Sequence, residues 1–95
     1  MNSKNDFDSI IQFKNSLIQY GKNSDRVYLM KLDSNENEVI SFIEQLAIEN
    51  DLGKIFTKVP ETSIQAFLNN NYRIEAEIPN YFKSEKCCFA SKFVK

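Results

Sequence analysis

The spacing of apolar positions changes several times along the chain. Residues 8–20, "DSIIQFKNSLIQY", hold two short apolar runs around Lys14-Asn15, which predicts a hairpin or a bent strand. "YGKNSD", Tyr20 to Asp25, has the composition of a turn. "RVYLMKL", Arg26 to Leu32, is apolar on both parities in its middle, the pattern of a strand covered on both faces. The period then lengthens. In "DSNENEVISFIEQLAIEN", Val39, Ile43 and Leu46 recur at helical spacing, and Ile40 and Ala47 widen the stripe. A helix is expected at about 35–50. Asp33 with Glu36, or Asn35 with Glu38, reads as a capping box, and Gly53 in "DLGK" can supply the positive φ that closes a helix.

"KIFTKV", Lys54 to Val59, reads as a short strand stopped by Pro60. Thr62 and Gln65 form a second capping box, and Ile64, Phe67 and Leu68 share a face, so a short helix is expected at about 62–70. Three asparagines follow. Asparagine tolerates the left-handed conformation, so Asn70 or Asn71 can end that helix. "YRIEAEI" then alternates, with Tyr72, Ile74, Ala76 and Ile78 expected on one face, and Pro79 marks an edge or a bulge. After the turn "KSEK", Cys87, Phe89, Ser91 and Phe93 share a face, and these last two strands make a hairpin. The order is β-β-β-α-β-α-β-β. It predicts an α+β or α/β fold: a mixed, mostly antiparallel sheet with two helices. Residues 26–59 would form a strand–helix–strand crossover.

At 95 residues with 42% hydrophobic content, the chain is expected to be one globular domain. Its net charge of -1 gives no electrostatic footprint for nucleic acid, and no basic run flanks an apolar one as a membrane-surface segment would. "MNSKNDFDS" lacks the apolar core of a signal peptide, so a cytoplasmic protein is expected. The two cysteines, Cys87 and Cys88, are adjacent, a poor geometry for a disulfide. There is no histidine, which removes the usual nucleophile–histidine pairs and most zinc sites.

The element order from residue 26 to residue 95 resembles the second half of the GNAT acetyltransferase fold. The wording is similar to a narrower family. "NSLIQYGKNSDRVYLMKLD" at 15–33, "KIFTKVPETSIQAFLNNNYRIEAEIPNYF" at 54–82 and "FASKF" at 89–93 resemble the N-terminal region of β-lysine N-acetyltransferases. That resemblance implies an enzyme that acetylates β-lysine with acetyl-CoA to make a compatible solute. It also implies that this chain is a single GNAT-like half-fold leading a C-terminal catalytic domain.

The chemistry departs from the GNAT pattern at two places. Such enzymes hold the cofactor pyrophosphate on backbone N–H groups of a Gly-rich turn, Q/R-x-x-G-x-G/A, between a strand and a helix N-terminus. The equivalent place here reads "DSNENE", with no glycine and with Asp33, Glu36 and Glu38. Three carboxylates repel phosphates. Many GNAT enzymes also carry a proton-donating tyrosine four residues before a Gly-aromatic pair. With Asn71-Tyr72 in place of that pair, the tyrosine position falls on Phe67, which donates nothing. No catalytic, cofactor-binding or metal-ligating residue is therefore assigned, and no cofactor is expected for this chain alone.

Other tempting residues have plainer readings. Cys87 and Cys88 read as strand fillers, one in the core and one outward, rather than a reactive pair. Tyr72, Tyr81, Phe82 and Phe89 can form a ligand surface, but half-buried strands use aromatics for cross-strand packing. Asp33, Glu36 and Glu38 can hold a cation or simply suit a helix first turn. "NYFKSEK" is a partner loop or a solvated turn. The expected role is accessory, with a catalytic GNAT domain in cis or a second copy as partner. The alternative is a stand-alone homo-oligomeric module binding a small ligand.

Overall fold

The computed structural model describes residues 8–82 and 85–95. Its elements are β1 (Ser9–Phe13), β2 (Ser16–Gly21), β3 (Arg26–Lys31), α1 (Glu36–Glu49), β4 (Lys54–Pro60), α2 (Ile64–Leu68), β5 (Arg73–Phe82) and β6 (Glu85–Phe93), with a 3-10 turn at Glu61–Ser63 leading into α2. They form one six-stranded sheet in the order β1-β2-β3-β4-β6-β5. Only β3 and β4 pair in parallel, with α1 as their crossover, and the other neighbours are antiparallel. The element order and the mixed sheet are those expected from the pattern.

The local conformations follow from residue type. Lys14 and Asn15 both have positive φ, the signature of the tight two-residue turn whose twist matches a hairpin. Asn71, with φ 73, ends α2 in the left-handed region. The end of α1 departs from expectation. Its left-handed residue is Asp51, while Gly53 has ordinary φ and is instead held by N–H bonds to the Asp25 carbonyl and carboxylate. Neither capping box forms. Asn35 caps α1 in a left-handed conformation without a side-chain bond, and Ser63 rather than Thr62 precedes α2. The Thr62 N–H goes to Glu85 at 3.0 Å.

The core lies between one sheet face and the two helices. Ile18, Val27, Leu29, Ile55, Val59, Cys88 and Ala90 meet Val39, Ile40, Ile43, Ala47 and Phe67, all buried. Roughly 1.5–3 kcal/mol of transfer free energy accompanies each large aliphatic or aromatic side chain buried there. Among the described residues no helix lies on the opposite face. The expectation that β3 is covered on both faces therefore fails. Val27 and Leu29 are buried, while Tyr28 and Met30 stay partly exposed.

The β5 strand bears out the edge expected at Pro79 and corrects one other expectation. It runs through Pro79 to Phe82, because the proline sits on an edge strand where a missing N–H costs no pairing. Its predicted single face is broken. A bulge between Ile74 and Ala76 sets Ile74 opposite Ala90, on the helix side, but Ala76 opposite Phe89 and Ile78 opposite Cys87, on the other. Among the described residues no helix is long and apolar enough to cross a membrane.

Candidate active-site cleft

In a sheet with a parallel pair, ligands gather where the carboxyl ends of the strands part. The β3–β4 register runs from Arg26 opposite Lys54 to Leu29 opposite Thr57. Beyond it, Met30, Lys31 and Leu32 on one side and Lys58 and Pro60 on the other line a cleft of about 440 Å³, closed by Tyr81, Phe82 and Glu85. That volume accommodates a small organic ligand. Thr57 ends the ladder with its hydroxyl donated to the Ala90 carbonyl at 2.9 Å, which fixes β4 against β6 just below the opening.

Lys58, Tyr81 and Glu85 in the cleft are already engaged. The Lys58 ammonium donates to the Tyr81 hydroxyl at 3.5 Å and lies 5.6 Å from the ring centre. The Glu85 carboxylate accepts from the Thr62 N–H, and Thr62, through its hydroxyl first and its N–H second, holds the carboxylate pKa below its usual value. Among the described residues two cations and one carboxylate thus face an apolar floor, and none of them is paired as a general base with a nucleophile.

The turn from β3 into α1 is where a GNAT enzyme would cradle phosphates. It carries the carboxylates noted above, each tied to a neighbour. Glu36 accepts from the Ser63 hydroxyl at 2.8 Å, which joins α1 to the turn before α2. Glu38 pairs with Lys14 at 3.0 Å, and the Asp33 carboxylate accepts from the Ser34 hydroxyl at 3.3 Å, while the Asp33 N–H donates to the Ser16 hydroxyl at 3.0 Å. Asn35, at φ 60, rather than a glycine takes the left-handed position here, in a turn that carries Asp33, Glu36 and Glu38.

Phe67, at the place of the GNAT tyrosine, is wholly buried and meets Tyr72 edge-on at 5.3 Å between ring centres. Tyr72 is buried too, and burial together with the nearby Glu44 carboxylate pushes its phenol well above its usual pKa. Of the four aromatics singled out in the sequence, only Tyr81 and Phe82 reach the cleft, stacked edge-on at 4.9 Å. Phe89 lies on the uncovered sheet face. Both cysteines are buried, Cys88 in the core and Cys87 on the opposite side, so the expected outward thiol is covered as well. Desolvation raises both thiol pKa values, which makes them inert. Lys83 and Ser84 of the "NYFKSEK" turn lie outside the described residues. Sequence reasoning missed the cleft, because only the parting of β3 and β4 brings Met30, Lys58 and Glu85 together. A proline ending a parallel strand was the one signal for it.

No family model matches the chain. Over 86 residues, 90% of its length, it is 34% identical to the β-lysine N(6)-acetyltransferase of Methanococcus maripaludis. Solved acetyltransferases share its fold: an Agrobacterium tumefaciens protein at TM-score 0.67 over 92% of this chain and 73% of its own, with 7% identity. Nourseothricin acetyltransferase matches at TM-score 0.64 over 84% and 56%, with 10% identity. Ard1 of Thermoplasma volcanium matches at 0.62 over 84% and 63%, with 15% identity. The fold is that of these acetyltransferases. The chain spans about a third of the curated enzyme it matches, and between half and three quarters of these solved structures.

Proposed function

We propose that this chain is the N-terminal accessory domain of a β-lysine acetyltransferase of the GNAT family and does not itself transfer acetyl groups. The family uses acetyl-CoA, but the observation that carries the reading is the turn at residues 33–38. Its carboxylates stand where the cofactor's pyrophosphate would need N–H donors and no negative charge. The absent tyrosine supports the same reading, since Phe67 is both chemically inert and sealed in the core. The domain would then pack on the catalytic part, in the cytoplasm where acetyl-CoA is made, and help shape its substrate pocket.

The test is an amide NMR titration of the purified chain with acetyl-CoA, followed by an acetylation assay on β-lysine and lysine. No shifts at millimolar cofactor and no product are expected. Saturable shifts at residues 32–39, or any turnover, would overturn the non-catalytic reading.

The cleft favours one other reading, a homo-oligomeric module that holds a small charged molecule between Lys58 and Glu85. Saturable shifts at those two residues on adding β-lysine alone, in a chain that sediments as an oligomer, would support it over the first.

A further inference from the structure

The sheet face turned away from the helices carries an organised apolar row. Tyr28, Phe56 and Phe89, on the neighbouring strands β3, β4 and β6, lie 5.6 Å apart from ring to ring. Cys87 and the 40% exposed Ile78 extend it towards β5. The register places Arg26, Lys54 and Arg73 at one end of the row and Lys58 at the other. Among the described residues two carboxylates stand on this face: Glu75, which accepts from Ser91 and pairs with Lys54 at 3.5 Å, and Glu85, beside Lys58 and bonded to the Thr62 N–H. Four cations thus stand against two anions, in a protein whose net charge is -1.

An apolar centre with a charged rim is the anatomy of a docking surface. Its charge argues against a second copy stacked face to face, since like-charged rims would meet. It matches a partner whose apolar patch is rimmed by carboxylates. The M. maripaludis enzyme has more than two thirds of its length outside the matched stretch, so a partner tethered in the same polypeptide is at hand.

Building on the accessory-domain reading, we propose that the Tyr28–Phe56–Phe89 face is where this domain receives the remainder of its acetyltransferase. The helix face is already covered and takes no part. Arg26 and Arg73 set the orientation through carboxylates on that remainder, and the three rings supply the buried centre.

The experiment places this chain in the M. maripaludis enzyme in exchange for the matched stretch. Arg26→Glu and Arg73→Glu are exposed changes that leave the isolated chain folded. Phe56→Lys probes the centre, and Lys22→Glu, in the β2–β3 turn, is the control. The parent chimera is expected to be active and to melt in one transition. Arg26→Glu with Arg73→Glu should lower kcat/KM at least tenfold and split the melt, while the isolated double variant melts as its parent does. An active chimera indifferent to all these changes would overturn the face and leave the accessory reading standing. An inactive parent chimera, with the isolated chain folded, would sink both. Sedimentation of the isolated chain as a dimer that the same double variant disperses would give the face to a second copy and overturn the proposal.

Discussion

Tyr72→Phe should make the protein more stable. The side chain is 3% exposed, and its hydroxyl has no hydrogen-bond partner among the described residues. The nearest carboxylate, Glu44, is held by Lys92 at 2.9 Å, and the same ammonium sits 5.6 Å above the Tyr72 ring. A buried hydroxyl without a partner costs about 1–2 kcal/mol in lost hydration. Phenylalanine removes that cost and keeps the edge-on contact with Phe67. With an unfolding entropy of roughly 2.1 cal/mol/K per residue, about 0.2 kcal/mol/K for a chain of this length, the melting temperature should rise by about 5–10 °C. Calorimetry reads this directly. Urea titration should show the midpoint moving up at constant slope. A fall of the midpoint by an amount worth ~0.5 kcal/mol or more would mean that the hydroxyl donates to Glu44 in the folded protein, and the reasoning would be wrong.

Further outcomes follow from other positions. A methyl added at Gly21 would stand 2.9 Å from the Asp8 Cα, so Gly21→Ala should cost about 1–3 kcal/mol in urea denaturation; a neutral result would show that the strand end yields freely. Asn71→Gly should be tolerated, whereas Asn71→Ala should cost about 1–2 kcal/mol because φ 73 is left-handed; equal stability of the two variants would refute that cause. Glu75 and Glu85 both have folded pKa values below their ordinary one, Glu75 through the Ser91 hydroxyl and Glu85 through Thr62. Their contribution is therefore complete above the unfolded value of 4.5 and is lost as pH falls through the lower folded values. The urea midpoint should decline over that acid range, less steeply in Glu75→Gln and Glu85→Gln, and parallel curves would contradict the assignment. Cys87 and Cys88 should resist a disulfide reagent at pH 8 until denaturant is added; rapid reaction of the native protein would contradict their burial.

Much of the fold could be read from short-range signals. The change of period at Val39 located α1, the Lys14-Asn15 break located the first hairpin, and the asparagine run ended α2. The acidic charge and the lack of glycine in the turn before α1 were legible too, in six letters. What failed depended on tertiary context. The bulge after Ile74 reverses strand faces, and alternation alone cannot show where one extra residue is inserted. The double-sided reading of β3 failed because an apolar residue on an open face looks the same in sequence as one beneath a helix. The caps failed because Glu36 is drawn away to Ser63 and the Thr62 N–H is taken by Glu85, partners 27 and 23 residues distant. The cleft was invisible for the same reason.

The position of β4 has a consequence for how the chain reaches this state. Its two neighbours arrive from opposite directions in the sequence, β3 before α1 and β6 at the end. As the chain leaves the ribosome, β1 to β3 can close as local hairpins within a few tens of residues. β4 must wait for α1 to cross over, and then holds one unpaired edge until β6 emerges about 30 residues later. The last strand also gives β5 its pairing, and Val94 bonds back to Gly53 at 3.0 Å. Synthesis therefore leaves a half-made sheet with an exposed inner edge until β6 appears. A chain stalled before Glu85 would be a template for aggregation rather than a shorter domain.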